Sequence, residues 1–115
     1  MLKSCGRVVL FGAVMGVASV LMPVSAQTVD APAAEKLIED SKCGKCHSVD
    51  KAKDGPAYKK TAAKYKGKAD AEAKLFTHLT TGPTVEIDGV KEEHTKIKSK
   101  DEVAIKNVAR YILSR

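Results

Sequence analysis

Cys43-Gly44-Lys45-Cys46-His47 sets two thiols three positions apart, with an imidazole directly after the second. That order is the attachment sequence for a c-type haem. Each thiol adds across one vinyl group of a porphyrin to form a thioether. The histidine then sits beneath the ring with one nitrogen on the iron. Two other chemistries use a Cys-x-x-Cys pair, a thioredoxin-like redox couple and half of a zinc site. The immediate His47 argues against both, as does the lack of a second Cys-x-x-Cys or a clustered His pair. A plain disulfide or metal knuckle is the bland alternative.

The N-terminus points the same way independently. Lys3 and Arg7 precede an uncharged, almost wholly apolar run from Val8 to Met22, and Val24-Ser25-Ala26 offers small residues for cleavage. This reads as a secretory signal over 1–26, cut after Ala26. The competing reading is a retained membrane anchor, but the run falls short of the ~20 residues a spanning helix needs. Cys5 would leave with the signal, and no stable membrane association is expected after cleavage. Export also suits haem attachment, which needs reduced thiols outside the cytoplasm and consumes them.

Residues 27–115 then form one domain. It has no Trp and few large side chains to bury, its aromatics being Tyr58, Tyr65, Phe76 and Tyr111. A haem would supply the missing apolar centre, so folding and haem binding are expected to be coupled.

Four helices can be read. Asp30 caps the first, with Pro32 near its start and Leu37 and Ile38 on its inner face. The second spans Ala57 to Lys66 after the Gly55-Pro56 break, with Tyr58, Ala62 and Tyr65 on one face and Gly67 ending it. The third runs from an Asp70 cap to about Thr81, carrying Leu75 and Leu79, and stops at Gly82-Pro83. Ser99-Lys100-Asp101-Glu102 has the pattern of a capping box for the fourth, whose Ala104, Val108, Tyr111 and Ile112 recur at helical spacing. Between them, 82–98 reads as irregular, with a turn at Asp88-Gly89 and at most two short extended pieces around Val85 and Val90. The expected fold class is all-α.

This order resembles class I cytochromes c, and within them the small bacterial cytochrome c-551/c-552 group. Cys43 to Tyr65 is similar nearly residue for residue, through Asp54-Gly55-Pro56-Ala57-Tyr58-Lys59 and Ala62-Ala63-Lys64-Tyr65. Ala69 to Leu75 and Ala109 to Ser114 are similar too, leaving the loop after Gly82 as the main exception. The resemblance implies about four short helices around one covalently attached haem c, and a periplasmic carrier of electrons between larger redox proteins. It also implies that the carbonyl of Pro56 accepts a hydrogen bond from His47, fixing that ring.

One departure bears on function. Family members usually supply the sixth iron ligand as a Met in the loop before the last helix. Here Met1, Met15 and Met22 all fall inside the signal, so residues 27–115 contain none. His94, in Lys91-Glu92-Glu93-His94-Thr95-Lys96, stands about where that Met would be. The expectation is His47/His94 coordination. A solvated loop histidine, a nearby Lys, His78 and an open iron are the alternatives. A lysine would first have to lose its proton, and His78 occupies a position that in the family usually faces outward, near a haem propionate or on the surface. Imidazole in place of thioether sulfur removes a preference for reduced iron, so the potential should be lower than in Met-ligated relatives.

Two of the 20 basic residues and none of the 14 acidic ones lie in the signal, which leaves residues 27–115 at a formal +4. Lys42 to Lys68 holds nine lysines against Asp50 and Asp54. Such a rim either steers docking onto a redox partner with an acidic face or is merely a solvated surface. Basic residues interleaved with aromatics, as nucleic-acid binding requires, are missing. A monomeric electron carrier, not an enzyme, is the leading expectation. The competing one is a haem protein with an open or displaceable distal site that binds NO or CO, or has peroxidase-like activity using His94 and Glu93.

Overall fold

The computed structural model describes residues 12, 13, 16–20 and 27–115. The signal expected over 1–26, with its cleavage point, lies largely outside them. Among the described residues, no helix is long and apolar enough to cross a membrane.

Asp30 opens helix α1 (Ala31–Asp40), its side chain accepting from the Ala33 amide at 3.1 Å while Pro32 sits in the first turn. The missing N–H of a proline there has no partner to lose. Helix α2 (Tyr58–Tyr65) follows the Gly55-Pro56 loop, and α3 (Ala71–Thr81) ends on Gly82 in the left-handed region at φ 61°. Asp70 precedes α3 but makes no side-chain cap; its carboxylate pairs with Lys74 one turn on, at 2.9 Å.

Helix α4 (Glu102–Leu113) buries Ile105, Val108, Ala109, Tyr111 and Ile112. Its cap is Asp101, not Ser99 as the sequence suggested. The Asp101 carboxylate accepts from Val103 and Ala104 at 2.9 and 3.4 Å, and its carbonyl accepts the first helical bond, from Ile105 at 3.0 Å. Glu102 is therefore the first helical residue and cannot close a capping box, which needs an acid three positions inside. The Ser99 hydroxyl instead accepts from the Asp101 amide at 3.1 Å.

The core is built where α1, α2 and α3 pack on α4, with Ala34, Tyr58, Leu75, Leu79 and Ile97 joining the α4 residues. Specific polar contacts set the helix pairings. The Asn107 side chain accepts from the Asp30 amide at 2.9 Å and donates to the Asp30 carbonyl at 2.8 Å, clamping the start of α1 onto α4. Arg110 of α4 holds Glu72 of α3 through two bonds of 2.9 and 2.8 Å. This paired, half-buried geometry is worth more than an exposed ion pair.

The segment after Gly82 is more regular than its sequence suggested. Strands β1 (Thr84–Ile87) and β2 (Val90–Glu93) form an antiparallel hairpin with Ile87 opposite Val90. Asp88 and Gly89 connect them at φ 49° and 80°. Two successive positive φ values make a type I′ turn, whose twist matches that of a strand pair. The His94 amide donates to the Pro83 carbonyl at 2.9 Å and the Ile97 amide to the Leu79 carbonyl at 2.9 Å, tying the foot of the hairpin to the end of α3. The fold class stands as all-α, with one small sheet among the described residues.

Candidate functional site

The chain turns sharply after α1. Buried Ser41 closes the helix, and its hydroxyl accepts from the Lys98 amide at 2.9 Å. Lys42 takes a left-handed conformation at φ 61°, and Cys43–Lys45 makes a single 3-10 turn. The amides of Cys46 and His47 both donate to the Cys43 carbonyl, at 3.1 and 3.0 Å. This tight turn exposes two half-buried free thiols beside the His47 imidazole. Burial pushes the Cys43 thiol up from its usual range, so at neutral pH it is a thiol and not a thiolate.

His47 is held from three directions. Its Nδ1 lies 2.8 Å from the Pro56 carbonyl. A carbonyl can only accept, so Nδ1 carries the proton and Nε2 keeps its lone pair for a metal. Tyr58 stacks on the ring with centroids 5.6 Å apart and planes 22° apart. Gly55 lies against its edge, where an added Cβ would come within 2.4 Å of Cε1 and 2.8 Å of Nδ1. Gly55 is therefore a spatial requirement of the imidazole.

His94 leaves the end of β2 and points back toward His47. The two ring centroids are 6.0 Å apart. Two imidazoles sharing one metal atom need two bonds of about 2 Å plus a ring radius at each end, roughly the same span. Burial, reinforced by the His47 charge, holds the His94 pKa below the usual histidine value, with the Thr95 backbone pulling weakly the other way. The ring is thus neutral and able to ligate at pH 7. Its buried Nδ1 has no hydrogen-bond partner among the described residues.

His78 is not on the outer surface. It is half-buried on α3, its ring meeting that of His94 edge-on at 4.3 Å between centroids and 63° between planes. Desolvation, with the His94 charge next, lowers its pKa. The loop after α3 folds back as a hairpin and delivers His94 onto this helix, a return path that residue patterns along the loop do not encode.

These residues fit a c-type haem. Two thiols at the required spacing precede an imidazole whose proton is fixed away from the metal-binding nitrogen. A second neutral imidazole faces it at the separation one iron demands, and it carries a buried, unpartnered nitrogen. Cys43, Cys46, His47, Pro56 and His94, the residues singled out in the sequence, converge on one place. Gly55, Tyr58 and His78 also belong to it. Of these, only Gly55, beside a proline in a short loop, carries a local signal.

Comparison with known proteins agrees. The family model for cytochrome c matches residues 31–115. Cytochrome c-551 of Allochromatium vinosum is 43% identical over 63 residues, covering 53% of this chain and 67% of its own. Cytochrome c-551 of Pseudomonas aeruginosa is 44% identical over 48 residues, covering 42% and 46%. Among solved structures, the class 1 cytochrome MtoD from Sideroxydans lithotrophicus ES-1 superposes with a TM-score of 0.72 at 54% identity, over 76% of this chain and 97% of that one. Nitrosomonas europaea cytochrome c552 gives 0.57 at 28% identity, over 70% and 96%.

Proposed function

The chain belongs to the cytochrome c family, and from that premise we propose a periplasmic one-electron carrier with His47 and His94 as the two axial ligands of its haem iron. It is a class I c-type cytochrome of the c-551/c-552 group with one covalently attached haem c, and its work is electron transfer. When bound, that haem supplies one-electron chemistry between ferric and ferrous iron.

The chain's residues do the rest. Cys43 and Cys46 would hold the haem through thioethers. His47 would supply Nε2 to the iron, oriented by Pro56, Gly55 and Tyr58. His94 would supply the second imidazole nitrogen. The observation that carries the reading is the 6.0 Å pairing of the two rings, taken with the lack of any methionine in residues 27–115. A proximal imidazole held by a backbone carbonyl and a stacked ring suits a carrier.

Because imidazole does not favour the reduced iron as thioether sulfur does, the potential should fall below that of Met-ligated members of the group. An equilibrium redox titration of the holoprotein beside a Met-ligated cytochrome c-551 checks this. A midpoint equal to or above that of the Met-ligated protein would refute it.

All nine lysines between Lys42 and Lys68 are exposed. Two are partly engaged, Lys53 donating to the Gly44 carbonyl at 2.6 Å and Lys59 pairing with Asp50. The rest leave the segment that carries the attachment turn strongly positive, which suits a partner with an acidic docking face in a small and short-lived interface. Oxidation of the ferrous protein by hexacyanoferrate(III), a small anionic probe, should slow several-fold as screening shortens from ~30 Å at 0.01 M salt to ~8 Å at 0.15 M. Lys60→Glu with Lys64→Glu should remove most of that dependence. A rate indifferent to salt in the parent protein would dismiss the steering role.

A second reading, with small ligands taking the place of His94, draws on one feature: its Nδ1 lacks the hydrogen bond that anchors His47. Prompt CO uptake by the untreated ferrous protein would favour it over the carrier.

A further inference from the structure

The two rings that face each other at the site are supported unequally. His47 is locked by a 2.8 Å hydrogen bond to Pro56 and by stacking on Tyr58. His94 has no hydrogen bond on Nδ1, although that atom is buried. Beyond a weak influence of the Thr95 backbone, no hydrogen bond of ordinary geometry sets how its ring is rotated about the axis pointing at the metal. Its backbone is held at the foot of the hairpin, by its own amide on the Pro83 carbonyl and by the Ile97 amide on the Leu79 carbonyl, while all of β2 before it is exposed.

What does touch the ring is His78. Its edge-on contact at 4.3 Å and 63° is a favoured aromatic arrangement. His78 is carried by α3, which is pinned to the core by buried Leu75 and Leu79 and to α4 by the Glu72–Arg110 pair. A ring on a fixed helix thus abuts a ring that follows an exposed strand.

We infer that His78 is a positioning residue for the distal ligand, fixing the rotation of the His94 ring by edge-on contact where a hydrogen-bonding carbonyl would otherwise do so. This rests on His94 being the sixth ligand. The physical consequence is a distal ring with one orientation, which keeps the geometry alike in both oxidation states and slows replacement of His94 by outside ligands.

The test uses the intact holoprotein and two substitutions, His78→Ala and His78→Phe. The g-values of the ferric low-spin signal report the relative orientation of two axial imidazole planes, which a merely structural role would not move. His78→Ala should stay low-spin but show shifted or broadened g-values, and cyanide should displace the distal ligand roughly threefold to tenfold faster, the factor expected from losing one aromatic pair. His78→Phe keeps a ring edge and should restore both readouts. Unchanged g-values and an unchanged displacement rate in His78→Ala, even with a lowered melting temperature, would overturn the inference while leaving His94 ligation intact. If His78→Ala became high-spin while His94→Ala stayed low-spin, His78 would itself be the ligand, and both readings would fall.

Discussion

Replacing His94 with alanine should convert a six-coordinate low-spin protein into a high-spin one in both oxidation states, with haem still covalently attached. The proximal side would be untouched. His47 keeps its bond to Pro56 and its stack on Tyr58, and Cys43 and Cys46 belong to the same attachment turn. No methionine is present in residues 27–115 to take over. The nearest lysine in sequence, Lys96, is engaged with Glu93 at 3.7 Å and would have to give up its proton. Ferrous His94→Ala should therefore bind CO at once, where the parent protein binds it slowly or not at all. Absorption spectra of both forms, with and without CO, make the measurement. A variant that stays fully low-spin and indifferent to CO would remove His94 from the iron.

Gly55→Ala should be nearly as damaging, though it adds one methyl group at a residue that ligates nothing. The new Cβ would stand 2.4 Å from Cε1 and 2.8 Å from Nδ1 of His47. Gly55 is not among the residues with positive φ, so the effect is steric and not a matter of backbone strain. The ring must move, and the hydrogen bond that fixes its proton and its direction goes with it. Loss of an outer-shell partner typically lowers metal affinity about 10–100-fold, so the yield of holoprotein should fall by about tenfold or more. Gly44→Ala supplies the control, because nothing lies within 4 Å of a Cβ there. Haem content per polypeptide, read by mass and absorbance, should separate the two. Equal loading of both variants would contradict the proposed packing of the proximal side.

How much of this was legible in the sequence depended on how local each determinant is. The attachment turn is five consecutive residues, and capping by Asp30 and termination by Gly82 are one-turn effects, so pattern alone located them. The capping register of α4 was misplaced by two residues because Ser99 and Asp101 are both good caps. Which one serves depends on where the backbone turns helical, and the segment just before it is held at Lys98 by Ser41, 57 positions away. The hairpin was visible only as an Asp-Gly turn with two Val residues beside it. Its strands are only four residues long, and although Thr84-Val85-Glu86-Ile87 alternates polar and apolar, Val90 to Glu93 does not, so pattern marks one strand and not its partner. His78 was misjudged for a related reason. On α3 it stands three residues after Leu75, at the edge of the Leu75 and Leu79 stripe, and the return of His94 over the helix gives it a neighbour.

The identity of the second axial ligand bears most of the weight, and near-infrared magnetic circular dichroism of the ferric holoprotein at neutral pH addresses it most directly. Two imidazole nitrogens should give a single low-spin charge-transfer band at the position characteristic of that pair. A band typical of amine with imidazole, or the signature of high-spin ferric haem, would contradict the arrangement of His47 and His94 on which the rest depends.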